Sequence, residues 1–167
     1  EGSGIELPPL ESYAARVWDY WERNLDPDLF KDRSLSAAVR GKVVLITGAS
    51  SGIGKATAVK VADAGATVLL VARSIEKLEE TKDEILAAGG VAHIHRCDLA
   101  DVEDVARMAD EVLTYHGHVD ILVNNAGRSI RRSVALSYDR FHDYERTIQL
   151  NYLGALRLIL ALLPEMR

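Results

Sequence analysis

The sequence predicts an α/β fold, a doubly wound parallel sheet with helices on both faces, and three observations carry that prediction. From Gly41 onward, short apolar runs alternate with segments of helical periodicity, the pattern of βαβ units joined by right-handed crossovers. The apolar runs are continuous rather than alternating with polar residues, which suits strands covered on both sides. The first run leads into a glycine-rich turn, Thr47-Gly48-Ala49-Ser50-Ser51-Gly52-Ile53-Gly54, and the turn leads into a helix. A strand, a glycine turn and a helix in that order bring backbone N–H groups and a helix N-terminus together on an anion.

Residues 1–40 read differently from the rest. Pro8-Pro9 suggests an extended linker. Ala14, Val17, Trp18, Trp21 and Leu25 then recur at helical spacing and carry both tryptophans of the chain, so an amphipathic helix is expected, stopped by Asp26-Pro27-Asp28. The helix either packs on the body of the domain or offers a docking surface to another domain or subunit. Residues 41–167 are expected to form a nucleotide-binding domain, which the family resemblance given below makes the N-terminal part of a larger one.

Within that domain the expected strands are Val43–Thr47, Thr67–Val71, Val91–Arg96 and Val119–Asn124. The helix after the glycine turn is expected over Lys55–Ala64, with Gly65 at its C-terminal end. Ser74 is placed to cap the next helix, through Ile75, Leu78, Ile85 and Leu86, which ends at Gly89-Gly90. Asp98 or Asp101 can open the third. Tyr138–Leu163 reads as one long helix, with Tyr144, Ile148, Tyr152 and Leu156 along one side and Pro164 limiting it. The sheet as read has an incomplete C-terminal side.

The 167 residues suffice for a single domain with a core that buries roughly 70% of the unfolded surface. A net charge of −5 offers no basic footprint for nucleic acid. The one cysteine, Cys97, has no disulfide partner, which suits a reducing, cytoplasmic setting. No apolar run is expected to reach the ~20 residues of a membrane span.

The strand ends carry the chemistry. Gly48 allows a tight turn, Gly52 lets the backbone approach a pyrophosphate, and Gly54 permits close packing of the helix. The second strand ends Val71-Ala72-Arg73. Sites for NAD commonly place an acid there for the ribose 2′-hydroxyl; an arginine instead suits a 2′-phosphate, although an exposed arginine at a helix start needs no ligand. Asp98 ends the third strand as an adenine acceptor or a helix cap. Asn124-Asn125-Ala126-Gly127 ends the fourth, where amides are costly to bury without partners.

Together the glycine turn, Asp98-Leu99, Asn124-Asn125-Ala126-Gly127 and Asn151 resemble the short-chain dehydrogenase/reductase family over residues 41–167. The resemblance implies a Rossmann-type sheet binding NADP(H) at the strands' carboxyl ends. It assigns Gly48, Ser50, Ser51, Gly52, Ile53 and Gly54 to the phosphate loop, Arg73 to the 2′-phosphate, Asp98 and Leu99 to the adenine, and Asn125, Ala126 and Gly127 to the region of the adenosine ribose. Asn151 matches the family's catalytic asparagine, whose carbonyl region holds a water leading to the active-site lysine. It implies a homo-oligomer formed through the long last helix. The segment Tyr20–Asp28 is similar to the linker before the second reductase module of two-module fatty-acyl-CoA reductases, which implies a long-chain aldehyde as substrate.

One departure bears on function. The family's proton donor is a tyrosine followed four residues later by lysine, with a serine upstream. None of the six tyrosines has that lysine, and the last lysine is Lys82. The expectation is the front part of an NADPH-dependent carbonyl reductase, with those groups beyond Arg167; the alternative is a non-catalytic nucleotide-binding module. No metal site is expected: His93 and His95 share a strand face with no obvious third ligand and read as surface residues. Arg128, Arg131 and Arg132 form a solvated loop, or meet an acidic substrate or carrier.

Overall fold

The computed structural model describes residues 8–24 and 32–166. The chain divides into two units at Ser34/Leu35, six residues earlier than the boundary read from the sequence. In the first unit, helix α1 (Leu10–Asn24) forms where the apolar stripe predicts it, and none of its residues is buried. Trp18 and Trp21 pack with ring centroids 5.4 Å apart. Leu25 and the Asp26-Pro27-Asp28 breaker lie outside the described residues.

The second unit opens with a short helix, α2 (Leu35–Val39). Residues 35–40 belong here because Val39 is a core residue and Gly41 donates its N–H to Gly65. The sheet then builds from β1 (Val43–Thr47), β2 (Thr67–Ala72), β3 (Val91–Arg96) and β4 (Ile121–Val123), in the order β3-β2-β1-β4. All pairs are parallel. The crossovers are α3 (Gly52–Asp63), α4 (Ile75–Ala87) and α5 (Val102–His116).

Two cores, one on each face, follow from the alternation of side chains along a strand. Val44, Ile46, Val68 and Leu70 point to the α3–α4 layer and meet Ala58, Val61, Leu78 and Ile85. Leu45, Leu69 and Val71 point the other way, onto Val105, Met108 and Val112 of α5 and onto Leu158 and Leu162. Strands with both faces covered explain why the apolar runs are unbroken.

Several boundaries differ from the sequence reading for local reasons. Helix α3 begins at Gly52 rather than Lys55, directly at the glycine turn. Ser74 stands at the cap position of α4, but its hydroxyl bonds Glu76 and not the helix backbone. Asp101, not Asp98, caps α5, accepting from Glu103 and Asp104 N–H. Strand β4 is shorter than the expected Val119–Asn124 because side chains take over at both ends: Asp120 accepts the Val43 N–H, and Thr47 takes the N–H of Asn125. Val119 makes an isolated parallel bridge to Met166.

The last helical run starts at Phe141 and has an interruption the sequence did not announce. Helix α6 (Phe141–Ile148) widens into a π-helical stretch, Gln149–Gly154, then resumes as α7 (Ala155–Leu162). Contrary to the sequence expectation, the run of 25 residues from Phe141 to Glu165 is long and apolar enough to cross a membrane by length and composition. Leu158 and Leu162 are fully buried against the sheet and α5, while only 17% of the run's most apolar stretch is buried.

Candidate functional site

The order β3-β2-β1-β4 puts a topological switch between β1 and β4, and open α/β sheets bind ligands outside the carboxyl ends of strands at such a point. Thr47, the last residue of β1, is fully buried. Its hydroxyl accepts the N–H groups of Asn125 and Ala126, both at 3.0 Å, and donates to the Val123 carbonyl at 3.3 Å. That uses one donor and two acceptor positions, the full capacity of a hydroxyl. Asn125 Nδ2 returns a bond to the Thr47 carbonyl at 3.0 Å. The two strand ends are thereby pinned side by side.

The glycine turn packs on this pin. Gly48 has φ +68°, and its N–H donates to the Val71 carbonyl at 2.8 Å. A Cβ at Gly54 would run into the Gly48 carbonyl and lie 2.5 Å from Asn125 Nδ2, so only glycine lets α3 start so close to β4. Ser51 occupies the cap position of α3 without a side-chain cap bond. The first N–H groups of the helix therefore remain available to an anion.

A groove of about 410 Å³ runs across the strand ends. Gly48, Ser50 and Ser51 line it from the turn, Arg73 from the end of β2, Asp98 and Leu99 from beyond β3, and Asn125, Ala126 and Gly127 from beyond β4. Of the remaining loop residues, Gly52 and Ile53 are exposed at the helix start and Gly54 is buried beneath the turn. Asp98 is held by its own backbone: its N–H donates to Asp104 at 2.7 Å, and its Oδ1 accepts from Ala100. Arg73 is 74% exposed and stands 4.0 Å from Asp98, close enough to sense the carboxylate and free to meet a ligand.

Sequence reasoning missed six lining residues: Val71, Ala72, Ser74, Lys77, Cys97 and Leu150. Lys77 was legible as a cation one turn into the helix that Arg73 precedes. Cys97 is buried, and burial pushes its thiol up to about 12, so it is a neutral wall residue and not a nucleophile.

Asn151 lies outside the groove lining, on the π-helical stretch. Its Oδ1 accepts the Arg128 N–H at 2.9 Å and its Nδ2 donates to the Arg128 carbonyl at 2.8 Å. A few residues on, Gly154 approaches Leu99 so closely that a Cβ would strike the Leu99 carbonyl. π-helical turns are frequent at functional sites, and this one presses the helix against both the Asp98-Leu99 wall and the loop after β4.

Two side readings need correction. His95 is buried, not on the surface: Nδ1 lies 3.2 Å from Glu111 and Nε2 lies 3.3 Å from His116 Nε2. His93 packs on the same His116 ring. The strand supplies two of these groups and α5 the other two, a meeting that no linear spacing announces. No group of three His, Cys, Asp or Glu side chains among the described residues is placed to hold a metal. The arginine loop is also not wholly solvated. Arg132 bonds Asp143 at 2.6 Å and Arg140 bonds the same oxygen at 2.8 Å, and the two guanidinium groups, Arg140 first, hold the Asp143 carboxyl down to about 2.

The profile of the short chain dehydrogenase family matches residues 42–167, the segment that contains the turn, the pinned strand ends and Asn151. The chain belongs to the short-chain dehydrogenase family. Other members agree. An uncharacterized oxidoreductase of Mycobacterium tuberculosis is 59% identical over 92% of this chain and 46% of its own length. A fatty acyl-CoA reductase of Acinetobacter baylyi is 59% identical over 77% of this chain and 43% of its own. A metagenomic short-chain oxidoreductase crystallised with NADP superposes with a TM-score of 0.72 at 39% identity, covering 77% of this chain and 57% of that one. This chain is thus an oxidoreductase-family Rossmann domain, and it spans about half the length of the curated short-chain dehydrogenase relatives it matches.

Proposed function

We propose that this chain forms the cofactor-binding part of an NADP(H)-dependent oxidoreductase that reduces a carbonyl to an alcohol. The observation that carries the cofactor choice is Arg73: it stands at the carboxyl end of β2, lines the groove, and is mostly exposed. Neither Val71 nor Ala72 offers a carboxylate to hold a 2′-hydroxyl or repel a 2′-phosphate. The groove fits a dinucleotide by its own features, since the close approach of Gly54 to Gly48 leaves the turn narrow and the start of α3 is uncapped.

When bound, the nicotinamide would supply hydride chemistry. The chain's residues do the holding. Gly48, Ser50, Ser51, Gly52, Ile53 and Gly54 place backbone N–H groups and the start of α3 on the pyrophosphate. Arg73 takes the 2′-phosphate. Asp98 and Leu99 flank the adenine, and Asn125, Ala126 and Gly127 the ribose. Asn151 fixes the helix against the loop after β4 and would present its carbonyl region to a water on the proton path. The proton donor and its lysine are not among these residues. A long-chain aldehyde is the substrate we favour, supported by the fatty acyl-CoA reductase relative.

We place the enzyme in the cytoplasm, supported by the single free thiol. We place self-association on the exposed stripe of Tyr144, Ile148 and Tyr152, with a further docking role for residues 1–40.

Titration of the full-length protein with NADPH and NADH tests the cofactor reading. NADPH should bind at least tenfold more tightly, and Arg73→Asp should reverse the order. Equal affinities that Arg73→Asp leaves unchanged would sink it.

A further inference from the structure

Two arginines beside the groove are unspent. Arg128 and Arg146 line a second groove, of about 740 Å³, that shares Arg73, Asp98, Gly127 and Leu150 with the first. Among the described residues neither guanidinium makes an ion pair or a hydrogen bond, whereas their neighbours Arg132 and Arg140 are both tied to Asp143. The difference is not one of mobility alone, because the backbone of Arg128 is fixed on both sides by Asn151.

The groove's own acids do not neutralise it. Asp98 stands 4.0 Å from Arg73, and Glu145 makes no ion pair among the described residues. Three guanidinium groups therefore face one cavity with a single distant carboxylate partner between them. Like charges gathered in this way repel, and an anion with several acceptor oxygens relieves the repulsion through bidentate bonds. The two grooves share a wall, so the anion sits within reach of whatever nucleotide occupies the first.

We infer that the second groove binds a phosphate monoester on a nucleotide ribose, with Arg128 and Arg146 as its ligands beside Arg73. This rests on the nucleotide reading of the first groove. Two molecules offer the chemistry: the 2′-phosphate of the cofactor, reached from the far side of Arg73, and the phosphorylated ribose of a nucleotide-bearing acyl carrier on the substrate.

Calorimetric titration of the full-length protein at low salt separates the sources. The probes are adenosine 2′,5′-bisphosphate, adenosine 3′,5′-bisphosphate and adenosine 5′-monophosphate. The double variant Arg128→Ala/Arg146→Ala should weaken one bisphosphate at least tenfold while leaving the monophosphate within twofold. A loss on the 2′ probe assigns the groove to the cofactor, and a loss on the 3′ probe assigns it to a carrier. Arg128→Lys/Arg146→Lys keeps the charge but not the bidentate fork and should recover part of the loss, which excludes misfolding as its cause. The inference is overturned if both bisphosphates bind the double variant as tightly as the parent, or if neither binds the parent more tightly than the monophosphate. If Arg73→Asp abolishes a preference for NADPH while the double variant changes nothing, only this inference fails. If NADPH and NADH bind alike but the double variant loses the 3′ probe, only the cofactor reading fails.

Discussion

The side-chain amide of Asn151 bonds both main-chain groups of Arg128, accepting its N–H at 2.9 Å and donating to its carbonyl at 2.8 Å. An amide engaged in this way acts as a one-residue strand partner for the loop that leaves β4. Asn151→Ala should leave both groups to solvent and cost about 1 kcal/mol, the low end of the range for a lost pair because water reaches the loop. The Arg128 amide should then exchange with deuterium at least tenfold faster. Unchanged exchange at Arg128 would mean that something other than Asn151 holds the loop.

Thr47 should be the least replaceable hydroxyl in the molecule. Thr47→Val keeps the shape but leaves the Ala126 N–H without its acceptor and the Asn125 N–H with the Val123 carbonyl alone, at about 1–3 kcal/mol for the orphaned group. Denaturant unfolding should show a loss of about 1–3 kcal/mol, whereas Thr47→Ser, which keeps the oxygen, should lose less than half as much.

Cys97 should resist alkylation. With its thiol pushed up to about 12 by burial, essentially no thiolate exists at pH 8. Iodoacetamide should label the unfolded chain rapidly and the folded chain only at the rate of opening, as mass spectrometry would show. Fast labelling of the folded protein would mean that the groove wall is open.

Stability should fall in two stages on acidification. Burial holds His95 and His116 below the usual histidine range, so the unfolded chain binds more protons than the folded one as the pH drops below about 6.5. The stability these histidines contribute is complete above that value and declines beneath it. Asp143 is depressed to about 2 by Arg140 and Arg132, so its contribution is complete above about pH 4 and is lost as the pH falls toward 2. Melting curves from pH 8 to 3 should show both declines, and Asp143→Asn should flatten the second without altering the first.

How much of this was legible before folding depends on how local each signal is. The strands β1, β2 and β3 came within a residue of their observed bounds, because an apolar run between a turn and a glycine has few alternatives. The groove was legible because most of its lining residues stand at strand ends, and a parallel sheet gathers every strand's carboxyl end on one side. Leu150 escaped because nothing in its neighbours marks it as facing a cavity. The fourth strand was read too long because the residues that shorten it, Thr47 and Asp120, act across the sheet.

By itself the sequence determined the layer architecture, the glycine turn between β1 and α3 and the presence of Arg73 in place of an acid, since each depends on periodicity or on residues close in the chain. Tertiary structure alone decided which polar groups are spent and which are free. Arg132 and Arg128 are four residues apart in one loop, yet one is locked to Asp143 and the other faces a groove. His95 became buried only because α5 brings Glu111 and His116 against its strand. The physical reason is the same in each case: a charge or a hydrogen bond is settled by what lies within a few ångströms, and folding brings those neighbours from distant parts of the chain.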